Sequence, residues 1–230
     1  MKSIIKAILK AFGLGIFQIK NHPSIHSANE YNQLSAINAF YSDPLKVQKY
    51  INNERIKFFG EIIQVLRSHN LINSNSLIAD IGCGTGHFLS LLANHIPENQ
   101  LYGYEYSDDA LKVAHETISK AHLDSLDIYS SQLIETHDIV ICTDVIEHLA
   151  DPEIALSNLY KMVKQERHLL LVVPEGRKDF YDGHINFWSP ESWRFFLEKN
   201  CPGKIISTGL LNDKKEQYAL IKKPAYDNKS

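Results

Sequence analysis

An acid followed by three alternating glycines, Asp80-Ile81-Gly82-Cys83-Gly84-Thr85-Gly86, stands where an apolar run gives way to helical spacing. Leu77, Ile78, Ala79 and Ile81 form the run, behind the polar Asn73-Ser74-Asn75-Ser76, and Phe88, Leu91 and Leu92 then share one helical face. Glycines at alternate positions let the backbone turn tightly, take positive φ and lie against a ligand that a Cβ would push away. The order of residues separates two classes of ligand. A dinucleotide fingerprint reads G-x-G-x-x-G and sets a pyrophosphate on the helix N-terminus. Here the loop begins with a carboxylate, which repels a diphosphate and suits a cation. For the heptapeptide alone, the bland alternative is a glycine turn with no ligand.

The loop resembles motif I of the class I S-adenosylmethionine (SAM)-dependent methyltransferases, whose cofactor carries a sulfonium and an ammonium. The likeness runs over about residues 76–223 and is nearest to the branch that includes the ubiquinone-pathway O-methyltransferases. It implies that Asp80 orients the methionine end and that backbone at Gly82 and Gly84 borders the cofactor. Leu101-Tyr102-Gly103-Tyr104-Glu105-Tyr106-Ser107 reads as a second strand ending in an acid. A carboxylate there accepts both hydrogens of a ribose diol. The resemblance makes Glu105 that ligand, with Tyr106 placed to pack against the adenine. Ser107 reads as the cap of a helix whose first turn carries Asp108 and Asp109. Leu126-Asp127-Ile128-Tyr129 reads as the third strand, and Asp127, Ser130 and Ser131 are equal candidates for an adenine-contacting polar group.

The fourth strand, Asp138-Ile139-Val140-Ile141-Cys142-Thr143, leads into Asp144-Val145-Ile146-Glu147-His148. As one helical turn, this segment sets Asp144 beside Glu147 at i+3 and His148 at i+4. Asp144 then counts both with the cofactor contacts and with the catalytic groups. Asp151-Pro152 carries N-cap and N1 signals for a helix through about Val163. His168 to Val173 forms strand five, stopped by Pro174, and a long polar and aromatic loop follows before the Ser189-Pro190 helix start. Loops of this length are more often functional than idle. By resemblance this one borders the acceptor pocket, with His184 the residue of interest and Tyr181, Phe187 and Trp188 able either to wall the pocket or to anchor the loop. Asp144, Glu147, His148 and His184 together form a candidate divalent-metal set, and His148 or His184 a candidate general base.

Lys204–Thr208 and Gln217–Ile221 alternate as two strands around a turn at Asn212-Asp213. The expectation is an α/β, Rossmann-like, seven-stranded, mostly parallel sheet with helices on both faces and an antiparallel C-terminal hairpin. Residues 76–230 form the methyltransferase domain. Residues 1–75 form an N-terminal helical extension and lid, in which Ile56, Phe59, Ile62, Ile63 and Leu66 hold helix spacing. Arg55 can reach a methionine carboxylate, but reads better as a surface arginine.

A formal charge of −3 offers nucleic acid no general attraction, and three cysteines without ligand spacing fit a reducing cytoplasm. Residues 1–20 set Ile5, Ile8, Leu9 and Phe12 on one face among lysines opposed by no acid, without a signal-peptide cleavage site. Such a segment packs on the core or a partner subunit, or lies peripherally on the inner membrane surface. The sequence therefore points to a cytoplasmic SAM-dependent methyltransferase, an O-methyltransferase of a small hydroxylated acceptor such as a sugar or aromatic diol. Its rivals are an RNA 2′-O-methyltransferase, which shares an acid-x-x-Glu-His segment, and a non-catalytic SAM-binding partner subunit.

Overall fold

The computed structural model describes residues 30–226, so the reading of residues 1–20 lies outside the described residues. Among the described residues, the helices α1 (Leu34–Tyr41), α2 (Pro44–Tyr50) and α3 (Asn53–Ser68) precede the sheet. Local chemistry sets each start after α1. The Asp43 carboxylate accepts the Leu45 and Lys46 amides ahead of α2, with Pro44 at the first helical position, and the Asn52 side chain accepts the Arg55 amide ahead of α3. None of the described helices is long and apolar enough to cross a membrane.

The alternating unit follows: β1 (Ile78–Ile81), α4 (His87–Leu92), β2 (Leu101–Glu105), α5 (Asp108–Thr117), β3 (His122–Ser125), β4 (His137–Thr143), α6 (Pro152–Met162), β5 (Val163–Pro174), α7 (Pro190–Asn200), β6 (Lys204–Leu211) and β7 (Glu216–Lys222). The sheet runs β3-β2-β1-β4-β5-β7-β6, and only β7 is antiparallel to its neighbours. Short loops allow a parallel pair only through a crossover helix, which is why the helices fall on both faces. The expected seven-stranded sheet with an antiparallel C-terminal hairpin is therefore present.

Strand side chains alternate between two cores, as a period of two requires. Ile139, Ile141, Leu170 and Val172 face α3 and α4, packed with Phe58, Phe59, Ile62, Leu66, Phe88 and Leu89. Val140, Cys142, Leu169, Leu171 and Val173 face α6 and α7, packed with Leu156, Leu159, Trp193 and Leu197. Ser107 and Ser189 cap their helices as expected, through the Ala110 and Ser192 amides.

Three local expectations are corrected. The third strand is His122–Ser125, not 126–129: Tyr102 to Glu105 pair with His122 to Ser125, and the ladder ends where the Leu126 amide reaches the Glu105 carbonyl. Beyond it the Asp127 carboxylate accepts the Tyr129 amide and turns the chain away. The strand is polar because it lies at the sheet edge, so it lacks the apolar run that marks the others. Strand five begins at Val163, five residues early, because Val163 already pairs with His137 across an irregularity in the register. Asp151 makes no side-chain capping bond, and Pro152 alone opens α6.

The α3 face is part of the main core: Ile62 and Leu66 are fully buried. Ile62→Ala is expected to cost about 2–5 kcal/mol by urea denaturation, the range for large-to-small changes in a packed core. A loss of less than about 1 kcal/mol would show that α3 is loosely docked.

Candidate active site

Ligands of open α/β sheets bind outside the carboxyl ends of the strands, and the expected site residues gather at that edge. Asp80 lies within β1 and Glu105 closes β2, both buried. Between them, the Gly82 and Cys83 amides reach the Tyr104 carbonyl at 2.7 and 3.1 Å and fold the glycine loop over β2. Gly82 and Gly84 hold φ of 78° and 51°, and a Cβ would lie 2.3 Å from a Val145 methyl at the first and 3.2 Å from the Tyr41 hydroxyl at the second. Only glycine fits such a cradle.

Glu105 fixes this loop. Its carboxylate accepts the Gly84 amide at 2.8 Å, the Tyr106 amide at 2.8 Å and the Ser107 amide at 3.0 Å. Oε1 takes two of these bonds and Oε2 one, which leaves Oε2 capacity for a ligand hydroxyl. Asp80 beside it has its pKa pushed up to about 7, first by burial and then by the Glu105 charge. A cationic ligand offsets both effects, so donor set and cradle fit SAM. Tyr106 is half exposed at the rim, and Asp127 is engaged with the Tyr129 amide.

Beyond β4 the chain departs from the expected helical turn. Asp144 takes positive φ (53°), and a short 3-10 turn covers Ile146–His148. Asp144 thus leaves the Glu147–His148 face and pairs with Arg55 from α3 at 2.5 Å. The expectation of Asp144 within the metal cluster is corrected for this reason. So is the surface placement of Arg55: its guanidinium is largely buried, contacts the Tyr50 hydroxyl and lies over the Tyr50, Phe58 and Phe59 rings. Burial works against its charge, but Asp144 and Tyr50 outweigh that and its pKa rises.

Glu147, His148 and His184 do converge, each offering a ligand atom within 4.8 Å of the others. Glu147 is 0% exposed, and neither carboxylate oxygen has a hydrogen-bond partner. Burial, followed by Asp144, raises its pKa well above the ordinary range. His184 lies 3.7 Å from Glu147 Oε1 through Nε2, while its Nδ1 meets Asp179 at 2.6 Å. The two imidazole centroids are 4.5 Å apart. Burial, then His184, holds the His148 pKa down at about 4, so the ring is neutral near pH 7.

Residues 179–188 close over this cluster. The Ile185 and Asn186 amides bond the Glu147 carbonyl, and the Asn186 side chain reaches the Leu149 carbonyl at 2.7 Å. Tyr181 stands 4.8 Å from the His184 ring and walls the cluster, whereas Trp188 stacks near Trp193 and Phe196 and anchors the loop. Phe187 is half exposed. Sequence reasoning missed Asn32, Asn186 and Glu216 as contributors. Asn32 bonds the His148 and Gly183 carbonyls. Glu216 opens β7 beside Asp144, and burial, then Asp144, pushes its pKa up to about 9. Each approaches from a distant stretch of chain, so no local spacing signals it.

Asp80 and Glu216 are acids whose folded-state pKa values lie above their ordinary ones. Each contributes stability that is complete at acid pH and is lost as pH climbs through its folded value of about 7 or about 9. Denaturation midpoints of the ligand-free protein are expected to fall between about pH 7 and pH 9, above the range in which the neutral buried His148 contributes the opposite slope. Glu216→Gln should flatten the upper part of that fall. A wild-type profile that rises across the window would contradict these assignments.

Known proteins share the domain and the fold. Residues 79–169 match the family model of a methyltransferase domain. A malonyl-[acyl-carrier protein] O-methyltransferase from Anoxybacillus flavithermus is 27% identical over 119 residues, 51% of this chain and 46% of that protein. The mitochondrial ubiquinone biosynthesis O-methyltransferase of Schizosaccharomyces pombe is 27% identical over 183 residues, 74% of this chain and 62% of that protein. The chain spans 46% and 52% of the first two curated relatives, about half their length. An N-methyltransferase from Bradyrhizobium japonicum, solved with S-adenosyl-L-homocysteine, shares the fold at a TM-score of 0.67 and 18% identity, over 84% of this chain and 99% of that one. The magnesium protoporphyrin IX methyltransferase of Synechocystis does so at 0.61 and 16%, over 97% and 100%. Glycine cradle, strand order, family match and relatives together bear out the resemblance to the class I SAM-dependent methyltransferases, with ubiquinone biosynthesis O-methyltransferases among the proteins this chain is similar to.

Proposed function

We propose that the chain methylates an oxygen of a small hydroxylated acceptor, seated between the Ile146–His148 turn and residues 179–188, and that Glu147, His148 and His184 hold a divalent cation there. The observation that carries this reading is the Glu147 carboxylate, wholly buried, without a partner, and facing two imidazoles. An unpaired buried carboxylate is costly, so its retention calls for a cationic or proton-bearing guest. The donor set of one carboxylate and two imidazoles suits a first-row divalent ion. Such an ion, when bound, lowers the pKa of a coordinated hydroxyl, which matters because alkoxide is scarce near neutral pH.

The remaining work falls to side chains already in place. Asp80 and the Gly82–Gly84 backbone hold the cationic end of SAM, and Glu105 holds its ribose, so the sulfonium methyl faces the Glu147 cluster. Transfer from sulfur to oxygen needs in-line approach at about 3–3.5 Å, and alignment supplies much of the acceleration. Tyr181 and residues 179–188 exclude water from the acceptor. His148, neutral and desolvated, is poised as a ligand or as the acceptor of the hydroxyl proton. Arg55 neutralises Asp144 and so limits the negative charge around the acceptor. The names of the relatives, a malonyl-[acyl-carrier protein] O-methyltransferase and a ubiquinone biosynthesis O-methyltransferase, support oxygen as the methylated atom. Cytoplasmic placement and peripheral membrane contact through residues 1–20 stay within this proposal.

Turnover on catechols and sugar diols is expected to disappear after dialysis against a chelator and to return with a single divalent metal. Glu147→Gln and His184→Ala should each weaken metal binding by about tenfold to hundredfold while leaving S-adenosylhomocysteine affinity unchanged. Full turnover in the presence of chelator would contradict the metal and leave His148 as the base.

A further inference from the structure

Asn32, just before α1, reaches into the Glu147 cluster from the opposite end of the chain. Its side-chain Nδ2 donates to the His148 carbonyl at 3.1 Å and to the Gly183 carbonyl at 2.9 Å. Both partners only accept, so the amide can face them only with its NH2 group. Its Oδ1 therefore lies on the other side, 3.0 Å from Nδ1 of the His148 ring. The Gly183 carbonyl stands 3.0 Å from the same nitrogen. Two oxygens that can only accept thus border Nδ1, and the proton of a neutral ring must sit there, leaving the lone pair on Nε2. Asp179 orders His184 in the same way, through Nδ1 at 2.6 Å.

We propose that Asn32 is a positioning residue that selects the Nδ1–H tautomer of His148, and so presents the Nε2 lone pair to Glu147 and His184. The inference rests on reading that cluster as the acceptor-activating site. The consequence is chemical. A ring with the proton on Nε2 would offer the cluster a donor, which can neither ligate a cation nor accept a proton. The segment ahead of α1 thereby completes the site, and loss of one neutral side chain there disarms a histidine without touching the acceptor.

Nuclear magnetic resonance on the full chain, isotope-labelled at its histidine ring nitrogens, tests this without any acceptor. Wild-type His148 is expected in the Nδ1–H form. Asn32→Ala should raise the Nε2–H population on the order of tenfold, the equivalent of one hydrogen bond of about 1.4 kcal/mol. Asn32→Gln keeps both the NH2 donors and the amide oxygen, and should restore much of the Nδ1–H form. His184 should stay unchanged throughout. In turnover, kcat should fall in Asn32→Ala and recover in part in Asn32→Gln, with S-adenosylhomocysteine affinity constant. A simple loop tether would predict loss of kcat in Asn32→Ala with the His148 tautomer unchanged. Wild-type His148 protonated on Nε2, or an unchanged tautomer in Asn32→Ala, would each overturn the proposal. Absent turnover in the wild type with the tautomer pattern intact would instead count against the methyl-transfer reading alone.

Discussion

Carboxylates buried at the carboxyl edge of a parallel sheet are the constraint from which the rest of this molecule follows. Asp80, Glu105 and Glu147 are all buried there, with Glu216 close by. Removing a charge from water costs on the order of several kcal/mol unless a partner offsets it. The chain meets that cost differently at each position. Glu105 collects three backbone amides, Asp144 takes Arg55, and Asp80 and Glu216 have raised pKa values. Glu147 alone of this group has both carboxylate oxygens fully buried without a hydrogen-bond partner, and it lies against the two histidines. On the proposed reading, the carboxylate held by backbone amides lies on the cofactor side and the unpartnered one on the acceptor side.

The N-terminal helices belong to this solution. Arg55 from α3 neutralises Asp144, Tyr41 from α1 stands over Gly84, and the Asn38 side chain accepts the Ser107 hydroxyl at 2.6 Å. Asn32 adds the bonds to His148 and Gly183. Each contact joins a residue ahead of β1 to a strand end, so the site draws on the helical segment as directly as on the sheet.

Where a signal was local, the sequence carried it. The acid and glycines of 80–86, the Glu105 strand end, the Ser107 and Ser189 caps and the alternation in β6 and β7 each rest on spacing within a few residues, and each stands in the structure. The third strand escaped because an edge strand needs no apolar run. Asp144 escaped because its positive φ breaks the helical spacing assumed for 144–148, freeing it for Arg55. Arg55 itself read as a surface residue because cation–π burial among Tyr50, Phe58 and Phe59 is visible only after α3 packs. Asn32 and Glu216 act across the fold, where periodicity says nothing.

The most direct measurement is a crystal structure of the full chain with S-adenosylhomocysteine. The ribose diol is expected on Glu105, the amino acid end along Gly82 and Asp80, and the thioether sulfur directed at the space bounded by Glu147, His148, His184 and Tyr181. A cofactor bound with its sulfur turned away from that cluster, or bound elsewhere than at the ends of β1 and β2, would contradict it.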